Sequence, residues 1–205
     1  MAFSDFVYPD VLTDLGLTET GVANLFGAAS PLAAGSALAT SLPSYITLAA
    51  SASEMARGVW LVGPVLGDVW ARYGGQISLH VGAEFTADVA ARLSGFCDFL
   101  IGRYPHVPRV RPPAVVLIEA KRDDITSGLG QCIAAMVGAQ RFNRTAGTPL
   151  DAVYGVVTSG MLWRFLRLAG TALSLDQTEY TIRDVEKIIG ILVHMIGPIP
   201  PAPTP

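Results

Sequence analysis

The sequence predicts an α/β (α+β) fold: a mixed central sheet that begins with an antiparallel three-strand meander and is flanked by helices. Three observations carry this. The run Ala114-Val115-Val116-Leu117-Ile118 follows Pro112-Pro113 and closes on Glu119-Ala120-Lys121, the pattern of a buried strand rather than a helix. Two more strand-like segments precede it at short spacing. Amphipathic segments with helical period follow it and close the chain, so the order is helix, three strands, helix, two strands, helix.

Taken in order, residues 1–42 carry Asp5, Asp10, Asp14 and Glu19 and no Lys or Arg, and are rich in Ala, Ser and Gly toward their end. They are expected to be an N-terminal arm, with a short helix over Thr18–Phe26 and a small-residue linker or loose helix over Ala28–Ser41. The arm is the expected route to a homo-oligomer or a protein partner. The core domain is set at 43–197. A helical stretch runs from Ser44 to about Tyr73, with Pro64 kinking or splitting it and Gly74-Gly75 ending it. Gln76–Val89 is the first strand and Leu93–Ile101 the second, with Phe96, Asp98 and Leu100 on one face. Gly102–Pro113 is an Arg- and Pro-rich connection. Ala114–Lys121 is the third strand, with Val115, Leu117, Glu119 and Lys121 on one face.

Thr126–Asn143 is a helix whose stripe is Leu129, Ile133, Met136, Val137 and Gln140, with Gln131 beside it. Val153–Thr158 and Leu162–Leu168 are strands. Thr181, with Asp184 three residues on, opens the last helix. Ile182, Val185, Ile188, Ile189, Leu192, Val193 and Ile196 are its apolar stripe, and Gly197-Pro198 stops it. The proline-rich 198–205 is expected to be a disordered tail.

Composition limits the function classes. Of 205 residues, 51% are apolar and 15% charged, with a net charge of −3, so there is no global attraction to nucleic acid. Charge is uneven, however: residues 92–144 hold eight basic against four acidic side chains, a local net of +4 around the third strand. Cys97 and Cys132 have no pairing or metal spacing and read as reduced core thiols of a cytoplasmic protein. There is no ordinary signal peptide, and no segment offers the ~20 strongly apolar residues of a membrane span. His80, His106 and His194 lack metal-ligand spacing.

The chemistry gathers at the strand ends. Glu119 and Lys121 stand side by side after an apolar run, where an ionic pair is costly unless paired or metal-bound. Asp98 reaches the same sheet edge if its strand is the hairpin neighbour. Two carboxylates and the Ala120 carbonyl form a hard oxygen site suited to Mg²⁺ or Mn²⁺. Lys121 is placed to hold an attacking water and neutralise developing charge, and Gln131 to hydrogen-bond the water, Lys121 or a phosphate. Arg103, Arg109, Arg111 and Arg122 are candidate phosphate contacts. Glu84 and Asp88 are alternatives to Asp98, and Glu54 has Arg57 one turn away as a pairing partner.

Asp98 in Gly95-Phe96-Cys97-Asp98-Phe99-Leu100, then Glu119-Ala120-Lys121, then Gln131 in the following helix, resemble the PD-(D/E)XK nuclease superfamily, over roughly Ser53–Gly197. Cys97 stands where that pattern often has proline. The resemblance implies a restriction-endonuclease-like fold in which the acid and the E-x-K pair bind metal, the lysine assists catalysis and the glutamine supports the site. It also implies Glu54, on the first core helix, as an additional site residue. The expected activity is divalent-metal-dependent phosphodiester hydrolysis of DNA. The alternative is a non-catalytic interaction or assembly protein that keeps the fold.

Overall fold

The computed structural model describes residues 2–50, 53–88, 93–122 and 124–198. The helices are α1 (Asp10–Asp14), α2 (Ser36–Ala49), α3 (Glu54–Arg57), α4 (Gly63–Arg72), α5 (Leu129–Thr145) and α6 (Val185–Ile196). The strands are β1 (Thr18–Val22), β2 (Ser78–Asp88), β3 (Leu93–Gly102), β4 (Ala114–Ala120), β5 (Val153–Thr158), β6 (Leu162–Ala169), β7 (Ala172–Asp176) and β8 (Tyr180–Thr181). They form one mixed sheet in the order β1-β7-β6-β5-β4-β3-β2, with β8 on β6. The expected meander is β2-β3-β4, antiparallel throughout. The α5 crossover then returns the chain to β5, parallel to β4, as a parallel neighbour requires.

The sheet is covered on both faces. One face packs on α2, α4 and α6 through residues such as Val116, Ile118, Val65 and Ile189. The other packs on α5 and the N-terminal segment through Leu117, Met136, Phe3 and Val11. Every residue of β4 is buried, which explains its unbroken apolar run. Asn143, also buried, clamps the start of β4: its side-chain oxygen accepts the Ala114 N–H at 2.8 Å and its amide donates to the Ala114 carbonyl at 2.7 Å.

Several expectations are corrected. Residues 1–42 are not an arm. β1 pairs parallel with β7, Phe3, Val11 and Phe26 are buried, and Lys187 Nζ donates to the carbonyls of Phe26 and Ala29. The boundary at 42/43 falls inside α2, which accommodates Pro43. Pro64 has no N–H for the Trp60 carbonyl; a π turn, Gly58–Val62, precedes it, and Gly63 N–H donates to the Gly58 carbonyl instead. Val115 joins Val116 and Ile118 on the α4/α6 face, because the ladder passes from Ile101↔Val116 to Gly102↔Ala114 and leaves Val115 in a bulge that resets the alternation. The expected tail beyond Pro198, the end of the first expected strand at Val89 and Asp123 lie outside the described residues.

Candidate active site

The site forms where two strands change face together. Before Asp98, Leu93 and Cys97 pack on the α5 side; after it, Phe99 and Ile101 pack on the α4/α6 side. All four have odd numbers, so simple alternation would give them one face. On β2, Leu79 and Phe85 divide in the same way across Gly82. The ladder runs from Val81↔Phe99 to Ala83↔Cys97 without a Gly82–Asp98 pair, and Gly82 has φ 57°, a left-handed conformation that glycine adopts freely. Phe96, Asp98 and Leu100 therefore do not share one face as expected: Phe96 is exposed and Leu100 fully buried. At this break the Asp98 carboxylate accepts the Ala120 N–H at 2.8 Å. An extended residue sends its N–H and C=O toward the same neighbour, so the Ala120 carbonyl also leaves β4 on the Asp98 side.

Glu119 and Lys121 share a face as the strand period requires. Lys121 Nζ donates to Glu119 Oε1 at 2.6 Å, and the Lys121 N–H donates to the Thr158 carbonyl of β5. The Lys121 stem crosses Gly128 so closely that a Cβ there would meet Lys121 Cγ at 3.0 Å and Val157 Cγ1 at 2.7 Å. Glu119 is 4% exposed. Burial, then the charge of Asp98, with Glu54 adding, pushes its carboxyl up to about 8, against the hydrogen bond and charge of Lys121. Burial works against the Lys121 ammonium, but the Glu119 hydrogen bond and the charges of Glu119, Glu54 and Asp98 outweigh it and hold the pKa above the ordinary lysine value. Cys97 and Cys132 are free and buried. Burial and then the Glu119 charge raise both thiols, Cys97 to about 12, which removes them as nucleophiles.

Glu54 opens α3, with Ser53 as N-cap accepting the Ala56 N–H. It is exposed, and Arg57, one turn on, donates from Nη1 to the Arg122 carbonyl. The helix carrying Glu54 is thereby tied to the chain just beyond Lys121. Glu54, Asp98 and Ala120 line a cavity of about 500 Å³, with Met55, Val59 and Val81 on its apolar walls. Glu119 and Lys121 stand behind its lining, toward α5, within reach of the Glu54 and Asp98 charges.

Other candidates are placed elsewhere. Gln131 is half-buried on α5 and makes no side-chain hydrogen bond to Glu119 or Lys121. Arg103, Arg109 and Arg111 do not line the cavity, because their loop joins the opposite end of β4, about 20 Å away at 3.3 Å per residue. Arg103 Nε donates to the Ile196 carbonyl at the end of α6, and the Arg111 N–H donates to Tyr104 Oη at 2.7 Å. Their expected phosphate contact beside the carboxylates is corrected on that ground. Arg122 adjoins the site and is exposed. Glu84 is exposed on β2 outside the cavity, and of Asp88 only the backbone is described. Arg57 and Gly82 are the contributors that sequence reasoning missed. Arg57 offered only its spacing from Glu54, and Gly82 only its presence inside an otherwise regular strand.

The donor set is all oxygen: two carboxylates and a carbonyl, with Glu54 in addition. Glu119 is buried with the charges of Asp98 and Glu54 acting on it and Lys121 opposing them, a setting that a hard divalent cation such as Mg²⁺ or Mn²⁺ would suit. Among the described residues no group of three or more His, Cys, Asp or Glu is arranged around a common point; the fit rests on Asp98, Glu119 and the backbone. No helix of the described residues is long and apolar enough to cross a membrane. No protein-family model matches the chain, and no curated protein or solved structure matches it.

Proposed function

We propose that the chain is a divalent-metal-dependent nuclease of PD-(D/E)XK type, with a restriction-endonuclease-like core, hydrolysing phosphodiester bonds in DNA. The observation that carries this is the Asp98 carboxylate fixed on the Ala120 N–H between Glu119 and Lys121, whose side chains are paired. Asp98, Glu119 and the Ala120 carbonyl would hold Mg²⁺, with Glu54 adding negative charge from the facing helix. When bound, the ion supplies Lewis acidity toward a phosphoryl oxygen and lowers the pKa of water. Glu119 orients Lys121. The ammonium hydrogen-bonds the attacking water and balances the charge that grows on the phosphoryl oxygens as the P–O bond to the leaving group breaks. The free thiols suit a cytoplasmic setting.

One observation favours the second reading, an interaction protein on the same fold: among the described residues the cavity has no Lys or Arg in its lining, and Met55, Val59 and Val81 expose large apolar surface at its mouth. A calorimetric titration with Mg²⁺ and Mn²⁺, beside a cleavage panel on single-stranded, duplex and branched DNA, separates the two. Metal binding with cleavage supports the nuclease. Absence of both leaves the interaction protein.

A further inference from the structure

The cavity at the carboxylates is not isolated. Val81 and Gly82 line it and also line a second groove of about 1060 Å³ along β2, from Leu79 to Thr86. Its lining also includes His106, Arg109 and Phe142. β2 is the last strand of the sheet, so the groove follows an open edge. The junction at Gly82 is unobstructed: a Cβ there would meet nothing within 4 Å.

We infer that this groove is the binding track for an unpaired strand of nucleic acid, which passes Arg109, crosses Gly82 and enters the carboxylate cavity. The inference rests on the nuclease reading of that cavity and assigns its substrate class. Three features select the occupant. A duplex depends on neutralising the many phosphates of two backbones, and among the described residues the linings of cavity and groove hold one permanent cation, Arg109. A peptide adding to the β2 edge needs a regular ladder, and β2 changes face at Gly82, the kind of irregularity that blocks edge pairing. A single strand draws part of its affinity from stacking its bases on rings beside a cationic groove; among the described lining residues Arg109 is the permanent cation, His106 and Phe142 are rings, Val81 and Val110 are apolar surface, and Glu84 is the opposing carboxylate. The eight residues from Leu79 to Thr86 span about 25 Å, enough for on the order of four nucleotides.

The test is fluorescence anisotropy with a labelled oligothymidylate of about ten nucleotides and a duplex of equal length, in Ca²⁺ to hold off turnover, followed by cleavage of both in Mg²⁺. The single strand is expected to bind more tightly than the duplex. Arg109→Ala, on an exposed loop position, should weaken it several-fold and reduce its salt slope by about one. Glu84→Gln should tighten it. Equal or tighter duplex binding, or indifference to both variants, overturns the track and leaves the nuclease reading to the cleavage result. Strand binding with these two responses but no cleavage supports the track and removes the nuclease. Failure to bind either nucleic acid overturns the track.

Discussion

The Asp98 carboxylate receives the Ala120 N–H at 2.8 Å at the point where β3 leaves its ladder with β4. One carboxylate oxygen thus closes the strand end and the other is left for a ligand. Two substitutions separate these functions. Asn keeps a carbonyl oxygen for the Ala120 N–H but removes the charge, so Asp98→Asn should melt near wild type and lose affinity for Mg²⁺. Asp98→Ala strands a buried donor, which costs about 1–3 kcal/mol. Thermal melts beside metal titrations check both; an Asn variant that binds metal normally would remove Asp98 from the ligand set.

Glu119 makes stability depend on pH. Its folded pKa, about 8, lies above the ordinary 4.5, so folding favours the protonated acid. That contribution is complete below about 4.5 and is lost as pH rises through about 8. In the absence of divalent metal, denaturant unfolding at pH 6 should therefore give greater stability than at pH 9. Glu119→Gln should flatten the difference. Added Mg²⁺ should raise stability most at the alkaline end, where the carboxylate is ionised before the metal arrives.

Arg57 spans from α3 to the Arg122 carbonyl and so joins the two walls that carry Glu54 and Lys121. Arg57→Ala should cost about 1 kcal/mol, since the contact is exposed and screened by solvent. The more specific outcome is local: hydrogen exchange at Arg122 and Ile125–Gly128 should accelerate while β4 stays protected. Acceleration spread evenly over the sheet would mean a structural contribution with no special link to the site.

The meander, α5, β5 and α6 were legible because each carries its own period: an apolar run, a helical stripe or a cap. The nearness of Asp98 to the Glu119–Lys121 end of β4 was legible because their strands are hairpin neighbours in the meander. The rest depended on contacts distant in sequence. β1 reads Thr-Glu-Thr-Gly-Val, polar and short, and becomes a strand only by pairing with β7. The face change at Asp98 needs Gly82 opposite, and no single-strand pattern contains both. The positions of Arg103, Arg109 and Arg111 failed for a simpler reason: neighbours in sequence of β4, they attach to its start, and the acids stand at its end.

The N-terminal segment gives a direct check of that correction. Phe3 is 1% exposed, stacks near Phe85 with ring centroids 6.0 Å apart and would contact any Cβ placed at Gly138. Phe3→Ala should destabilise by about 3–5 kcal/mol, measured by denaturant unfolding. A dispensable arm would tolerate it with no change in midpoint.

Lys121→Ala is the sharpest test of the chemistry, and the 2.6 Å contact with Glu119 gives it two effects rather than one. In the proposed mechanism the ammonium acts on the water and on the phosphoryl charge, which matter during reaction, so turnover should fall by orders of magnitude. The same ammonium holds the Glu119 carboxyl down against burial and against Asp98. Without it, that carboxyl should rise further, and Mg²⁺ affinity should weaken at pH 7. Raising the pH to 9 should restore much of the metal binding, because the ligand can then ionise, but not the turnover. Glu119→Gln should lose both at every pH, since it removes a charged oxygen. Arg122→Ala keeps the backbone carbonyl that Arg57 holds, and should alter only substrate affinity, chiefly at low salt. The measurements are metal titrations and single-turnover cleavage at pH 7 and 9 on these three variants. Recovery of turnover together with metal at pH 9 would show that Lys121 serves Glu119 alone and never touches the water.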